Sequence, residues 1–574
     1  MSAGRRRLVT GRRLLAAFVV TSAALAVPVL TGPWADRAAQ PVGPATLPAA
    51  IGTLLDRSSA ERQSEILADE DQRLLTLVAS VRPGSGPYTV TLDGTDTLVL
   101  TPAGLAYGLT DLVALGAAEE QPDGAVLLTR HVFVAPGARL VVDAPGTTLR
   151  MRSGASGFVS LVSWKADLVL TGTEGRRLKV TSWDPAAGAP DEEVADGRAY
   201  VREVSGDMAI SHARVAHLGF WAGRTSGVAW TGSSSTAATG RIVDSVFREN
   251  HYGAFASQGE DLEVVRTAFA GNTVDGLSLH RSTAGTTIEG SSARGNGRHG
   301  FSADQASASV TFTEVTAARN GAYGIFFSGT PLAEGMSAGG ASLEAYGDVT
   351  IDEGELIGNG LAGVRVVDGD RVAISGTHVA DNRDGIVLVR TAAPTSVRDV
   401  VVDGPHRFGI SVDGGSATLA GNEVTGSSTA IRVRDADAAV RDNTVSAATA
   451  HGISVVGDAA GSVVEDNTLA GRGPSGLDTF RVPEGVDVDL AGNDVEAWEI
   501  DRDNWTYWST FIPNHPMLVL WVVVLGLPLG LALRARGHRV PLGTAPYGDD
   551  LRRERPPALR VDVGRRATAA GSPA

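Results

Sequence analysis

The 574-residue chain contains no cysteine. That excludes disulfide scaffolds, Cys-ligated zinc, iron–sulfur clusters and thiol nucleophiles. Lysine is almost as scarce: Lys165 and Lys179 are the only two, a bias read as one of coding before one of function. There are 5 methionines and no histidine cluster at ligand spacing, so no metal site and no cofactor are expected. Lys and Arg total 50 against 65 Asp and Glu, a net charge of −15. No nucleic-acid partner is expected on that balance. What is abundant is apolar residues, at 43%, and glycine, at 70 positions. The first is enough for a packed core and too much for a disordered chain. The second, ~12% against a usual ~7%, points to a fold that turns often.

Both ends carry membrane-type segments. Arg5–Arg7 and Arg12-Arg13 precede an apolar run from Leu14 to Leu30, with small residues at Ala24-Leu25-Ala26. This reads as a cleaved signal rather than an uncleaved anchor, because the run is short and interrupted by Pro28. The run Pro516–Leu533 has no charge, follows Trp505, Tyr507 and Trp508, and precedes Arg534, Arg536 and Arg539. At 1.5 Å per residue it just crosses a ~30 Å hydrocarbon layer. The arginines then place the tail in the cytoplasm and the region 31–515 outside. The expected location is the plasma membrane, single-pass, or two-pass if the first segment stays.

Between these ends runs a repeat. A glycine followed by alternating apolar residues recurs at Gly253, Gly276, Gly300, Gly324, Gly363, Gly385, Gly409, Gly452 and Gly476, with Ala430 in the same role. The intervals are 23, 24, 24, 39, 22, 24, 21, 22 and 24. Short β-type runs at a period near 23 are the signature of a parallel β-helix, whose coils must stack to bury their apolar faces. Alternation sends Leu277/Leu279, Val364/Val366, Ile386/Leu388 and Ile410/Val412 inward, and the positions two and four after the glycine outward. Asn250, Asn272, Asn296, Asn320, Asn359, Asn382, Asn443 and Asn467 fall at turns, where Asn tolerates left-handed backbone.

The expected fold is therefore all-β: a right-handed parallel β-helix over 126–497, with a signal segment 1–33 and a helical or mixed capping region 34–125. A juxtamembrane segment 498–515, a transmembrane helix 516–534 and a disordered tail 535–574 complete the chain. Residues 50–80, with Leu54, Leu55, Ile66, Leu67, Leu74, Leu75 and Leu77 as apolar set, are expected to cap the open end.

Stacked coils bring equivalent positions to ~4.8 Å. Four residues after the glycine, Ser257, His280, Asp304 and Ser328 form one column; two after it, Phe255, Ser278, Ser302, Phe326 and Arg365 form another. His280 and Asp304 would be neighbours on an exposed face flanked by rings. Such a face suits an extended sugar chain, and these residues are the candidate substrate contacts. The long interval adds a Gly-, Ala- and Ser-rich insertion over 330–346, read either as a lid or as a disordered loop.

Four segments resemble the periplasmic mannuronan C5-epimerases of alginate synthesis. Thr181-Ser182-Trp183-Asp184 matches a Gly-Trp-Asp/Asn element. Leu218-Gly219-Phe220 with Ser226-Gly227-Val228 matches Leu-Gly-Tyr…Ser-Tyr-Gly-Val. The run from Gly240 through Asp244-Ser245 and Phe247 to Tyr252-Gly253 matches a coil of Gly-x-Ile-x-Asp-Ser-x-Phe…Tyr-Gly. Gly276-Leu277-Ser278-Leu279-His280-Arg281-Ser282 lies where those enzymes carry Gly-x-Asp-Pro-His-Asp-Arg-Ser. The resemblance implies His280 as proton-abstracting base. Both acidic neighbours of the motif histidine are replaced, by Ser278 and Arg281, and Gln305 stands where the family's arginine is expected.

C5 epimerisation removes a proton alpha to a carboxylate, so the site must stabilise an enolate-like state and supply a base, a role imidazole suits. His280 is the candidate base, Asp304 the residue that orients it, and Arg281 or Arg365 the replacement cation. A lyase shares the first step and then expels the C4 oxygen. Three readings stand: a polyuronate epimerase or lyase, a non-catalytic polysaccharide-binding or guiding module, and a structural or protein-binding solenoid. The expected partners are a polysaccharide, a polyuronate or other acidic glycan, together with the plasma membrane and a glycan synthase or export complex.

Overall fold

In the computed structural model the described residues are 57–82, 84–233, 235–330, 346–483 and 485–501, together with Met517, Leu520, Val524 and Leu525. The signal segment, the 331–345 part of the insertion, most of 516–534 and the tail lie outside them. Two units are distinguished, residues 41–515 on one hand and 1–40 with 516–574 on the other. In the second, Met517, Leu520, Val524 and Leu525 are helical and exposed. Among the described residues no helix is long and apolar enough to cross a membrane.

The first unit is a stack of coils, each contributing three short strands. Ala254–Ser257, Glu263–Val265 and Ala268–Ala270 make one coil. Leu277–His280, Thr287–Glu289 and Ser292–Arg294 make the next. Each strand pairs in parallel with its equivalent one coil on, Ser257 opposite His280, Val264 opposite Ile288, Phe269 opposite Ala293. Leu277, Leu279, Val364, Val366, Ile386, Leu388, Ile410 and Val412 all face the core. The motif glycine is required by backbone approach between coils: a Cβ on Gly276 would lie 2.5 Å from the carbonyl oxygen of Gly300.

The asparagines do not occupy left-handed backbone. That conformation belongs to the residue before each one, as at Glu249, Gly271, Gly295, Arg319 and Asp381. Each Asn instead lies buried inside the corner. Asn296 donates its backbone N–H and its Nδ2–H to Asn320 Oδ1 (3.1 and 2.9 Å), and its own Oδ1 accepts the same pair from Asn272. Asn422, Asn443, Asn467 and Asn493 continue the ladder. Buried backbone donors that no strand partner reaches are satisfied this way.

The stack begins earlier than the spacing implied. Thr95–Leu100 pairs in parallel with His131–Val134 and antiparallel with Tyr88–Leu92. The helix α1, Arg57–Ser80, does not cap the end of the solenoid. Its buried positions Gln63, Leu67, Glu70, Leu74 and Leu77 recur at helical spacing, while Leu75 is exposed. That stripe covers the outer side of the first strand column, where Leu74 and Leu77 pack with Val99, Phe133, Val162, Tyr200 and Phe220. Within this interface Arg73 reaches Glu70, Thr97 and Ser160, and the Tyr200 hydroxyl donates to Glu70 at 2.6 Å. The Glu203 carboxyl points the other way, into the core opposite Ser163 and Trp230. Burial pushes it up to about 8.

Candidate functional site

The outer face of the first column is free of α1 downstream of the 217–227 loop. There His280 and Asp304 meet. The Asp304 backbone N–H donates to Leu279 O (3.0 Å), which seats its side chain one rung beyond His280. His280 Nδ1 stands 2.5 Å from Asp304 Oδ1, with the side chains 30% and 25% exposed. The imidazole therefore presents Nδ1 to a carboxylate and leaves Nε2 as its basic edge.

Beside this pair lies a buried ion pair that the spacing argument missed. Asp275, fully buried, accepts from Arg298 Nε and Nη2 (2.8 and 2.5 Å), from the His299 backbone N–H (3.0 Å) and from Ser302 Oγ (2.9 Å). Ser302 also contacts Ser278 Oγ at 3.1 Å. Burial pushes the Asp275 carboxyl up, but the Arg298 charge and these hydrogen bonds outweigh it and hold the group below the usual range. Burial lowers the Arg298 guanidinium, and Asp275 more than compensates, raising it. The field of Asp304 also reaches Arg298 and the Tyr252 hydroxyl. That hydroxyl is pushed up to about 12, chiefly by burial and then by Asp275. His299 is pushed down to about 4 by burial. It stacks on Tyr323 and Phe326 at 5.1 and 4.9 Å.

The expected substrate contacts divide. Ser257, Phe326, Ser328 and Arg365 face outward and are partly exposed, with Arg365 over the Tyr323 ring at 5.6 Å. Phe255 faces outward but is covered, not open: its ring lies against Gly223, where a Cβ would come within 2.2 Å, and 5.7 Å from the His280 ring. Ser278 and Ser302 are also buried, as partners in the Asp275 network. Arg281 and Gln305 leave the face, because both sit in left-handed backbone at the corner (φ 43° and 48°). The cation beside the dyad is Arg298. One signal could have found the pair: Asp275 and Arg298 are one coil apart in sequence.

The family model for the right-handed β-helix region matches residues 205–334, 333–469 and 384–496. No curated protein sequence matches. Among solved structures, the periplasmic alginate epimerase AlgG is similar at 14% identity and a TM-score of 0.43, over 72% of this chain and 95% of that one. A point mutant of AlgG gives 15% and 0.49, over 70% and 85%. The A-module of Azotobacter vinelandii mannuronan C-5 epimerase AlgE6 gives 16% and 0.38, over 68% and 93%. The family matches together run from residue 205 to residue 496 of the 574, and the chain belongs to the right-handed β-helix family.

Proposed function

We propose that this chain modifies an extracytoplasmic acidic polysaccharide by moving the C5 proton of a uronate residue. The observation that carries the reading is the His280–Asp304 pair, half-open to solvent beside a buried Asp275–Arg298 pair. Asp304 accepts a hydrogen bond from Nδ1–H and fixes the tautomer, so Nε2 of His280 takes the C5 proton. The developing charge on the sugar carboxylate is met by the field of Arg298, held rigid by Asp275. Reprotonation of C5 by solvent water from the opposite face gives epimerisation; breaking the C4–O bond instead forms a C4–C5 double bond, the leaving oxygen takes a proton, and the result is elimination. The motif resemblance around Gly276–Ser282 supports the assignment of the base. In this reading the segment 516–534 holds the β-helix at the plasma membrane, next to a glycan synthase or export complex.

One observation favours a binding module instead: Arg298 already spends its bidentate edge on Asp275. Proton exchange separates the two. An enzyme incorporates solvent deuterium at C5 of a polyuronate, and a binding module retains the polymer without exchange.

A further inference from the structure

The Asp275–Arg298 arrangement recurs downstream on the same face. Asp384 accepts from Arg407 Nε and Nη2 at 2.8 and 2.6 Å, and the Phe408 backbone N–H reaches its Oδ1 at 3.4 Å. Phe408 thus occupies the place that His299 has upstream. The rung after Phe408 brings Arg432, whose guanidinium carbon lies 4.9 Å from the Phe408 ring centre, with Arg407 at 4.6 Å. Arg434 pairs with Asp413, and Arg481 with Asp478. Among the described residues no carboxylate pairs with Arg432, so four guanidiniums here meet three carboxylates. Arg432 is the surplus cation, partly buried on an aromatic face. Burial and then the Arg434 charge pull it down to about 10, with the Asp413 charge offsetting them only in part.

Register fixes its distance from the dyad. The outward column runs Ser278, Ser302, Phe326, Arg365, Val387, Ser411, Arg432. Arg365 stands three rungs beyond the dyad's strand and Arg432 three further, ~29 Å away at ~4.8 Å per rung. Arg365 too has no carboxylate partner among the described residues and lies over a ring, Tyr323. In the opposite direction the face is closed. The backbone of Gly223 seats on Phe255, and α1 covers the strands before that.

We infer that Arg432 on Phe408 is an anion subsite that takes a uronate carboxylate of the same glycan chain whose other part lies at His280–Asp304. The polymer then extends from the dyad toward the C-terminal coils only. This rests on the reading of the dyad as a uronate site, and the test keeps the two apart.

The full chain is titrated with oligomannuronates of increasing length, with methyl-esterified oligomers of matched length as the uncharged control. Affinity is expected to rise once the oligomer spans the six rungs, and esterification removes that rise. In R432A the affinity stays at the short-oligomer level at every length, about tenfold below wild type for the longest, and R432K restores part of the gain. An R432A chain with wild-type unfolding temperature and undiminished affinity for long oligomers overturns the subsite and leaves the dyad reading intact. A wild-type chain that binds no uronate of any length overturns both.

Discussion

His280 and Asp304 are 24 residues apart in sequence, and their side chains meet at 2.5 Å because one coil of the solenoid separates them. The contact depends on the fold and on nothing local. With Nδ1 committed to the carboxylate, only one nitrogen can act as base. Asp304→Asn keeps the shape and removes the charge that fixes the tautomer. We expect His280→Ala and Asp304→Asn each to lower the C5 exchange rate about 10²–10⁴-fold. Both should leave the unfolding temperature nearly unchanged, because a part-exposed pair contributes only ~0–1 kcal/mol. Exchange kinetics and a thermal melt on the same samples check both halves.

The buried pair behaves differently. Arg298→Ala leaves Asp275 charged, fully buried and without its partner. Breaking a buried pair this way costs about 3–5 kcal/mol. The double substitution Asp275→Ala with Arg298→Met should recover much of the loss. Denaturant unfolding of wild type, single and double variants measures it. Equal stability of wild type and Arg298→Ala contradicts the role given to this pair.

The Glu203 carboxyl inside the core gives a pH signature. Its folded value of about 8 lies above that of an unfolded glutamate, so the folded state holds a proton that the unfolded state has lost. Stability is therefore fully present below about pH 4.3 and falls as pH rises towards 8. Full separation of the two states costs ~1.4 kcal/mol per pH unit. Glu203→Gln should flatten this dependence between about pH 5 and 8. A fall of unchanged slope in the variant contradicts it.

The asparagine ladder is a structural prediction. Asn296→Ala removes the Oδ1 that accepts two hydrogen bonds from Asn272 and the Nδ2 that donates to Asn320 Oδ1 and Phe269 O, leaving the backbone N–H of Asn272 buried without its partner. The expected cost is about 1–3 kcal/mol or more. Asn493→Ala, at the exposed end of the ladder, should cost less. Parallel melts of the two variants check the order.

Much of this was readable in the chain. Gly276-Leu-Ser-Leu-His and its repeats fix the strand, its inward side and the rung-to-rung pairing of 280 with 304, because alternation and stacking are periodic. The corners were less legible. Asn was assigned to left-handed backbone, whereas the neighbour before it adopts that conformation and Asn turns inward to bond the next coil. Alternation already argues against Arg281 sharing the face of His280, and the left-handed backbone at Arg281 and Gln305 takes both residues off it. The helix over residues 57–80 could be recognised by its pattern, but not the surface it covers, since a single amphipathic stripe fits any apolar face. Asp275 precedes the motif glycine and lies outside the two outward columns that alternation defines. Its arginine is 23 residues on, as is Arg407 from Asp384 and Arg371 from Asp348. A coil-spaced Asp and Arg is the pattern that reveals such pairs.

The most direct test of the central claim is solvent-exchange at C5. The full chain is incubated with a polyuronate in deuterated water, and deuterium at C5 is measured by NMR. The account predicts incorporation with the wild-type chain, and incorporation slowed about 10²–10⁴-fold with His280→Ala. Equal incorporation by the two proteins, or none by the wild-type chain with any polyuronate, contradicts it.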